Sequence, residues 1–309
     1  MTPPLVYLGL DVAKATLAGH LAGTGFTLPN DRDGHRALAA RIAAHGGPVQ
    51  VVCEATGIYQ RPVVAALRAA GVPMCVLHPT RARKLADGLG FLTKTDAVDA
   101  AALAALGPLQ PASTPEPAPG QERLAALVAR RDQLVELARR EKHHRETTTD
   151  KLLLRDLEQN LAGLIKRRAK IEALIAAHLA AHAALAAKAQ RLEQAPGVGS
   201  VAATTLLAVL PELGSGSRAR IAGLAGLAPR DHQSGAYRGP AHIRGGRPKA
   251  RRILYLCALS AARHHPQLAP FYTRLRAAGK APKVALIAVA RKLLTLLHAA
   301  LKNPHFALA

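Results

Sequence analysis

The sequence predicts an α/β domain with a mixed sheet, followed by a mainly α-helical remainder. Three observations carry this. The first hundred or so residues begin with short apolar strand runs and then alternate helical and strand spacings. Residues 121–195 contain no proline and a single glycine, Gly163. The last third mixes apolar helical stretches with loops rich in glycine and arginine.

The elements follow in order. Leu5–Leu10 is a buried strand ending at Asp11,. Residues 15–28 give one or two further strands around Gly23-Thr24-Gly25. Gly34–His45 has helical spacing (Leu38, Ile42) and stops at Gly46-Gly47,. Pro48–Cys53 is a second buried strand, ending at Glu54. Pro62–Ala70 is a helix, with proline suited to its first turn. Val72–Leu77 is a third strand. Arg81–Gly90 reads as helix, and a further helix begins at Lys94-Thr95-Asp96.

Five prolines in residues 107–120 make a stiff linker,. Beyond it, Leu124, Leu127, Arg131, Leu134 and Ala138 form one heptad seam, and Leu154, Leu157, Leu161, Leu164, Arg168, Ile171 and Ile175 another. Thr147–Asp150 marks a bend between two helices. Antiparallel packing within the chain and pairing with a second chain both fit, and a coiled-coil arm that also dimerises is expected. Lys166-Arg167-Arg168 is either a nucleic-acid contact or a solvated face. Pro282–Ala300 closes the chain as a core helix on Val284, Ile287, Ala288, Leu294 and Leu297. The expected divisions are 1–106, a linker at 107–120, an arm at 121–194 and a basic domain at 195–309.

Charge narrows the function. The 309 residues carry 42 Lys+Arg and 20 Asp+Glu, net +22. The excess is +2 over residues 1–120, +5 over 121–195 and +15 over 196–309, where Glu212 and Asp231 are the only acids. Such a balance implies a polyanionic partner. Aromatics are 3% and tryptophan is absent, which disfavours reading by stacked bases. No run of about 18 apolar residues suggests a membrane span, and Met1–Pro4 does not begin a signal peptide. No membrane partner and a cytoplasmic, nucleoid-associated location are therefore expected. Cys53, Cys75 and Cys257 sit in apolar contexts and read as core thiols rather than a disulfide or metal set,.

Two kinds of site stand out. Asp11 and Glu54 close predicted strands, where open α/β sheets collect their ligands. Asp96 and Asp99, three residues apart, share a helix face. Converging carboxylates repel unless cations neutralise them, and hard oxygen donors favour Mg²⁺ or Mn²⁺. Two such ions about 4 Å apart can stabilise the attacking and leaving oxygens of a phosphodiester displacement. Taken singly, each acid reads as a cap or turn residue. In the last third, Pro196-Gly197-Val198-Gly199 has the form of a turn that aims backbone N–H groups at a phosphate. Arg230, Arg238, Arg244, Arg247, Lys249, Arg251 and Arg252 follow further along the chain. Ser234-Gly235 lies in this cationic stretch; by spacing alone it is a loop serine, and with charge stabilisation it is a nucleophile.

The segments Leu8–Lys14 (LGLDVAK), Cys53–Tyr59 (CEATGIY) and Lys94–Ala100 (KTDAVDA) resemble the three signatures of DEDD transposases of the insertion-sequence 110 family. The stretch Gly226–Arg230 with the following Ser234-Gly235 resembles that family's C-terminal transposase domain. The resemblance spans roughly residues 5–300. It implies a RuvC-like ribonuclease-H fold and a coiled-coil segment between two domains; separately, the turn at Gly197 and Gly199 looks like the hairpin of a helix-hairpin-helix element. It makes Asp11, Glu54, Asp96 and Asp99 the metal-binding quartet and Ser234 the nucleophile that forms a phosphoserine link. It also implies donor and target duplex DNA and a non-coding bridge RNA as guide. The proline linker between quartet and serine suggests acids and serine drawn from different protomers, and strand exchange between two duplexes suggests a dimer that forms a tetramer in synapsis. The alternatives are a RuvC-like junction nuclease using water, and a non-catalytic nucleic-acid-binding protein.

Overall fold

The computed structural model describes residues 4–110, 118–235 and 237–308. The chain divides into two compact units, Met1–Glu116 and Pro117–Ala309.

The first unit is built on a five-stranded sheet of order β3-β2-β1-β4-β5. β1 (Val6–Val12), β2 (Thr16–Leu21) and β3 (Thr24–Pro29) form an antiparallel meander. β4 (Val49–Glu54) and β5 (Met74–Leu77) run parallel to β1 on its other side. The sheet is therefore mixed, and β1, apolar up to Asp11, lies at its centre with Leu8 and Leu10 fully buried,. The β2–β3 turn falls one residue earlier than the glycines suggest. Leu21 pairs with Thr24, and Ala22 (φ 49) and Gly23 (φ 83) both take the left-handed conformation of a two-residue hairpin,.

Helices α1 (Arg32–Ala44), α2 (Gln60–Ala69), α3 (Pro79–Gly88) and α4 (Asp96–Ala105) complete this unit. Asp31 caps α1 by accepting from the N–H groups of Asp33 and Gly34,. Thr95, not Asp96, caps α4 through the Val98 N–H. α4 crosses β1 at close range because Gly9 has no side chain: a Cβ there would lie 1.9 Å from the Ala100 carbonyl oxygen. A one-turn 3-10 helix, Gly107–Leu109, ends the unit's ordered elements. Of the proline linker, residues 111–117 lie outside the described residues.

In the second unit, α5 (Gln121–Thr147) and α6 (Lys151–Ala180) pack as a hairpin, about 40 and about 45 Å long at about 1.5 Å per residue,. The bend comes where the threonine run ends, and Asp150 caps α6 by accepting from Leu152 and Leu153. The seam is narrower than the heptads predict. Leu161, Leu164 and Ile175 are buried in α6, while Arg168 is solvated and paired with Glu172. In α5 the buried line is Leu124, Val128, Arg131 and Leu134.

Then come α7 (Ala183–Glu193), α8 (Ser200–Val209), α9 (Arg218–Leu224), a separate hairpin of β6 (Pro229–Ser234) and β7 (Tyr237–Ile243), α10 (Pro248–His264), α11 (Leu268–Ala277) and α12 (Pro282–Lys302). Leu124, Val128 and Ile175 join one apolar cluster with Leu192, Leu206, Leu254 and Leu293. The base of the long hairpin thus shares its core with the basic half. α12 is apolar and long enough, at 21 residues, to cross a membrane, with a mean hydropathy of 1.8. In the fold it is a core helix, burying Leu286, Val289, Leu293, Leu294, Leu296 and Leu297. Its buried face is rotated from the expected one: Val284 is 56% exposed. A helix apolar on most sides does not specify its own inward face. The three cysteines are buried and free, and burial pushes the Cys53 thiol up to about 12.

Candidate active site

The acids of the first unit come from three elements. β1 and β4 are paired in register as far as Leu10 opposite Cys53. The next residue on each strand is an acid, Asp11 and Glu54. Asp11 lies two positions beyond Gly9, on the same face of β1, and that is the face α4 crosses. Asp96 and Asp99 lie in the first turn of α4, where the helix dipole tolerates negative charge. All four line one cleft of about 440 Å³, with Thr56, Thr80, Arg83 and Lys94.

The electrostatics fit that crowding. Burial, then the neighbouring Asp96 and Asp99, raise the Asp11 carboxyl above its usual range, and Glu54 adds to this. Burial and Asp99 raise Glu54, against the opposing pull of Lys94 and His78. Among the described residues, no three His, Cys, Asp or Glu side chains stand close enough to enclose a metal ion. The donor set nevertheless suits a hard divalent cation, since it is all carboxylate and its mutual repulsion is what such a cation relieves. The cleft is open rather than closed. One cation of the protein already leans into it: Arg83 Nη1 lies 3.9 Å from Asp99 Oδ1 and has no hydrogen-bond acceptor. Arg83 Nε is tied to Asp87 at 2.9 Å. No sequence pattern marks Arg83, because its relation to Asp99 arises only where α3 packs beside α4.

Ser234 belongs to the second unit. It is the last residue of β6, opposite Tyr237, at the tip of the hairpin. Gly235 beside it has φ +53, and β6 is exposed along its whole length. Among the described residues, none holds the Ser234 hydroxyl by a hydrogen bond. Arg238 donates to Gln233 at 2.6 Å across the hairpin.

The basic residues separate into two groups. Arg230, Arg238, Arg244 and Arg252 are exposed. Arg247, Lys249 and Arg251 are instead occupied within the fold. Arg247 grips Glu212 with both guanidinium nitrogens and also donates to the Val209 carbonyl. Lys249 reaches Asp132 at 2.6 Å. The same carboxylate accepts from the buried Arg131, which also donates to Thr205 at 2.8 Å. Arg251 donates to the Gly245 carbonyl at 2.9 Å, locking Gly245-Gly246 against the Gly226 turn. A Cβ on Gly246 would lie 2.3 Å from the Gly226 nitrogen. These glycines and three cations are thus engaged in contacts within the fold, which spacing along the chain does not reveal. Gly197 (φ +96) likewise turns the chain between α7 and α8, its Cβ position 3.0 Å from the Ala261 nitrogen of α10. Gly199 precedes α8 in open space.

Comparison with known proteins agrees with both halves. Residues 8–153 match the IS110-type DEDD transposase family. Residues 189–273 match the transposase family IS116/IS110/IS902. The pilin gene-inverting proteins of Moraxella lacunata and Moraxella bovis are each 26% identical over 96% of this chain and 96% of their own length. The insertion element IS110 uncharacterized 43.6 kDa protein of Streptomyces coelicolor is 32% identical over 52% of this chain and 39% of its own length. With two family segments covering most of its length and full-length relatives, the chain belongs to the IS110 family of transposases.

Proposed function

We propose that the protein cleaves, exchanges and rejoins DNA strands of an insertion sequence, with Asp11, Glu54, Asp96 and Asp99 holding Mg²⁺ or Mn²⁺ and Ser234 as the nucleophile. The observation that carries this is the acid cleft: four carboxylates from three elements on one opening, in a chain of a transposase family. The bound cation would offset charge on the phosphate and on the departing oxygen. Ser234 Oγ attacks the phosphorus of a phosphodiester; a Ser–O–P bond forms, one P–O ester bond breaks, and the serine proton passes to the strand hydroxyl that leaves. A hydroxyl of the other strand reverses the step, so no external energy source is needed.

Arg230, Arg238, Arg244 and Arg252 would hold the backbone. Arg247, Lys249 and Arg251 would shape that surface from within, and the Gly197–Gly199 turn would offer backbone N–H groups of a helix-hairpin-helix kind. Heavy charge with few aromatics suits recognition through backbone and shape, with sequence left to a guide RNA from the element. Strand exchange between two duplexes calls for a dimer that pairs into a tetramer, with the α5–α6 arm as the dimerising element.

The test uses full-length protein, co-purified RNA and duplexes spanning the element junction. Ser234→Ala is expected to abolish the covalent protein–DNA adduct and cleavage, and Asp11→Ala to abolish both. Cleavage retained by Ser234→Ala would assign the attack to water, as in a junction nuclease. Unchanged recombination in both variants would leave only a binding protein.

A further inference from the structure

The β-ladder does not itself set the distance between Asp11 and Glu54. Pairing of β1 with β4 ends at Leu10 opposite Cys53. Beyond that rung each acid stays with its outer neighbour, Asp11 with Ala18 of β2 and Glu54 with Leu77 of β5. No rung pairs the two acids directly, and a side chain spans the strand ends. Asn30, just past β3, donates from Nδ2 to the Ala13 carbonyl at 2.8 Å and to the Tyr59 carbonyl at 3.2 Å. Ala13 lies two residues beyond Asp11, and Tyr59 ends the loop that starts at Glu54. Asn30 is thus hydrogen-bonded to both loops.

The amide has a fixed direction. Both its protons face carbonyls, so Oδ1 can only accept. The group opposite is His35 Nε2 at 2.8 Å, which must therefore carry the proton. His35 is buried in the first turn of α1, with 7% of its surface exposed. The Asn30 backbone N–H donates to Ala15 at 2.9 Å, which anchors the bridge from its own side.

We infer that Asn30, oriented by His35, is a positioning residue that fixes the gap between Asp11 and Glu54 and so sets the divalent-metal affinity of the cleft. This rests on the reading of the acids as metal ligands. Groups that orient metal ligands are worth about 10–100-fold in affinity.

The experiment is Mn²⁺ titration of the full-length protein by calorimetry, with thermal melting and DNA gel shifts on the same samples. Asn30→Ala is expected to weaken Mn²⁺ binding about tenfold or more while DNA affinity stays essentially unchanged. His35→Phe should weaken Mn²⁺ binding in the same direction, and His35→Gln, which keeps a donor, should restore most of it. If Asn30→Ala does not fold, the contrast between the two His35 variants decides. Mn²⁺ affinity unchanged in folded Asn30→Ala, or equal in the two His35 variants, overturns the positioning role, provided Asp11→Asn abolishes binding. Wild-type Mn²⁺ binding in Asp11→Asn removes the acids as ligands, and the inference with them.

Discussion

At the scale of single residues, the crowded acids of the cleft oppose stability. Asp11 and Glu54 have carboxyl pKa values raised by burial and by like charge. A raised folded-state pKa contributes stability that is present below the unfolded pKa and lost as pH rises through the folded one. In chelator, then, the first unit should lose this contribution as pH rises above the ordinary carboxylate range. Asp11→Asn should flatten that dependence and raise the melting temperature at pH 7 by removing a repelled charge. Thermal melts in EDTA from pH 4 to 7.5 check this, and a variant no more stable than wild type at pH 7 would contradict it. Glu212 has the opposite sign. Burial opposes its charge, but the Arg247 hydrogen bonds outweigh that and hold it below its usual range. Its contribution is present above the unfolded carboxylate pKa and lost as pH falls through the folded one. Glu212→Gln should cost about 1–2 kcal/mol at pH 7, discounted for the partial exposure of both partners, with the difference shrinking below about pH 4, as read by urea melts. Asp11 and Glu54 were legible because each ends an apolar strand run. Asn30 and Arg83 were not, because Ala13, Tyr59 and Asp99 lie well apart from them in sequence, and His35 was not, because its part follows from that of Asn30.

At the scale of elements, Gly9 decides whether the acids meet at all. A β-carbon there collides with backbone of α4, not with a movable side chain, so α4 must lift and take Asp96 and Asp99 with it. Gly9→Val is expected to destabilise the first unit by about 2 kcal/mol or more and to reduce Mn²⁺ binding together with cleavage. Gly23→Ala is the control: nothing lies within 4 Å of its Cβ, so it should cost only backbone strain. A Gly9→Val protein that melts and binds metal as wild type would show that α4 does not depend on this close approach. Strand positions and helix starts were legible from apolar runs and caps. The buried face of α12 and the true seam of α5 and α6 were not, since heptad spacing gives candidates and packing partners choose among them. Arg168 shows this: it occupies a seam position in the sequence and solvent in the fold.

At the scale of the whole molecule, the positive charge is a gradient rather than a coating, and only part of it is available to a ligand. Converting Arg230, Arg238, Arg244 and Arg252 singly to alanine should each flatten the salt dependence of duplex binding, by about 0.9 in log–log slope for every phosphate left without its cation. Lys249→Met should leave that slope unchanged and lower stability instead, because Lys249 is spent on Asp132. Binding titrations at several salt concentrations separate the two outcomes, and a slope change for Lys249→Met would show that its internal pair opens on DNA. The sequence by itself determined the order of strands and helices in the first unit, the mixed sheet and the family, since apolar period, turn residues and motif order are written locally along the chain. Only the tertiary structure decided which acids share a cleft, which cations remain free, and that the base of the long helical hairpin shares a core with the basic half. Those depend on packing between residues tens of positions apart, whose geometry no local pattern encodes.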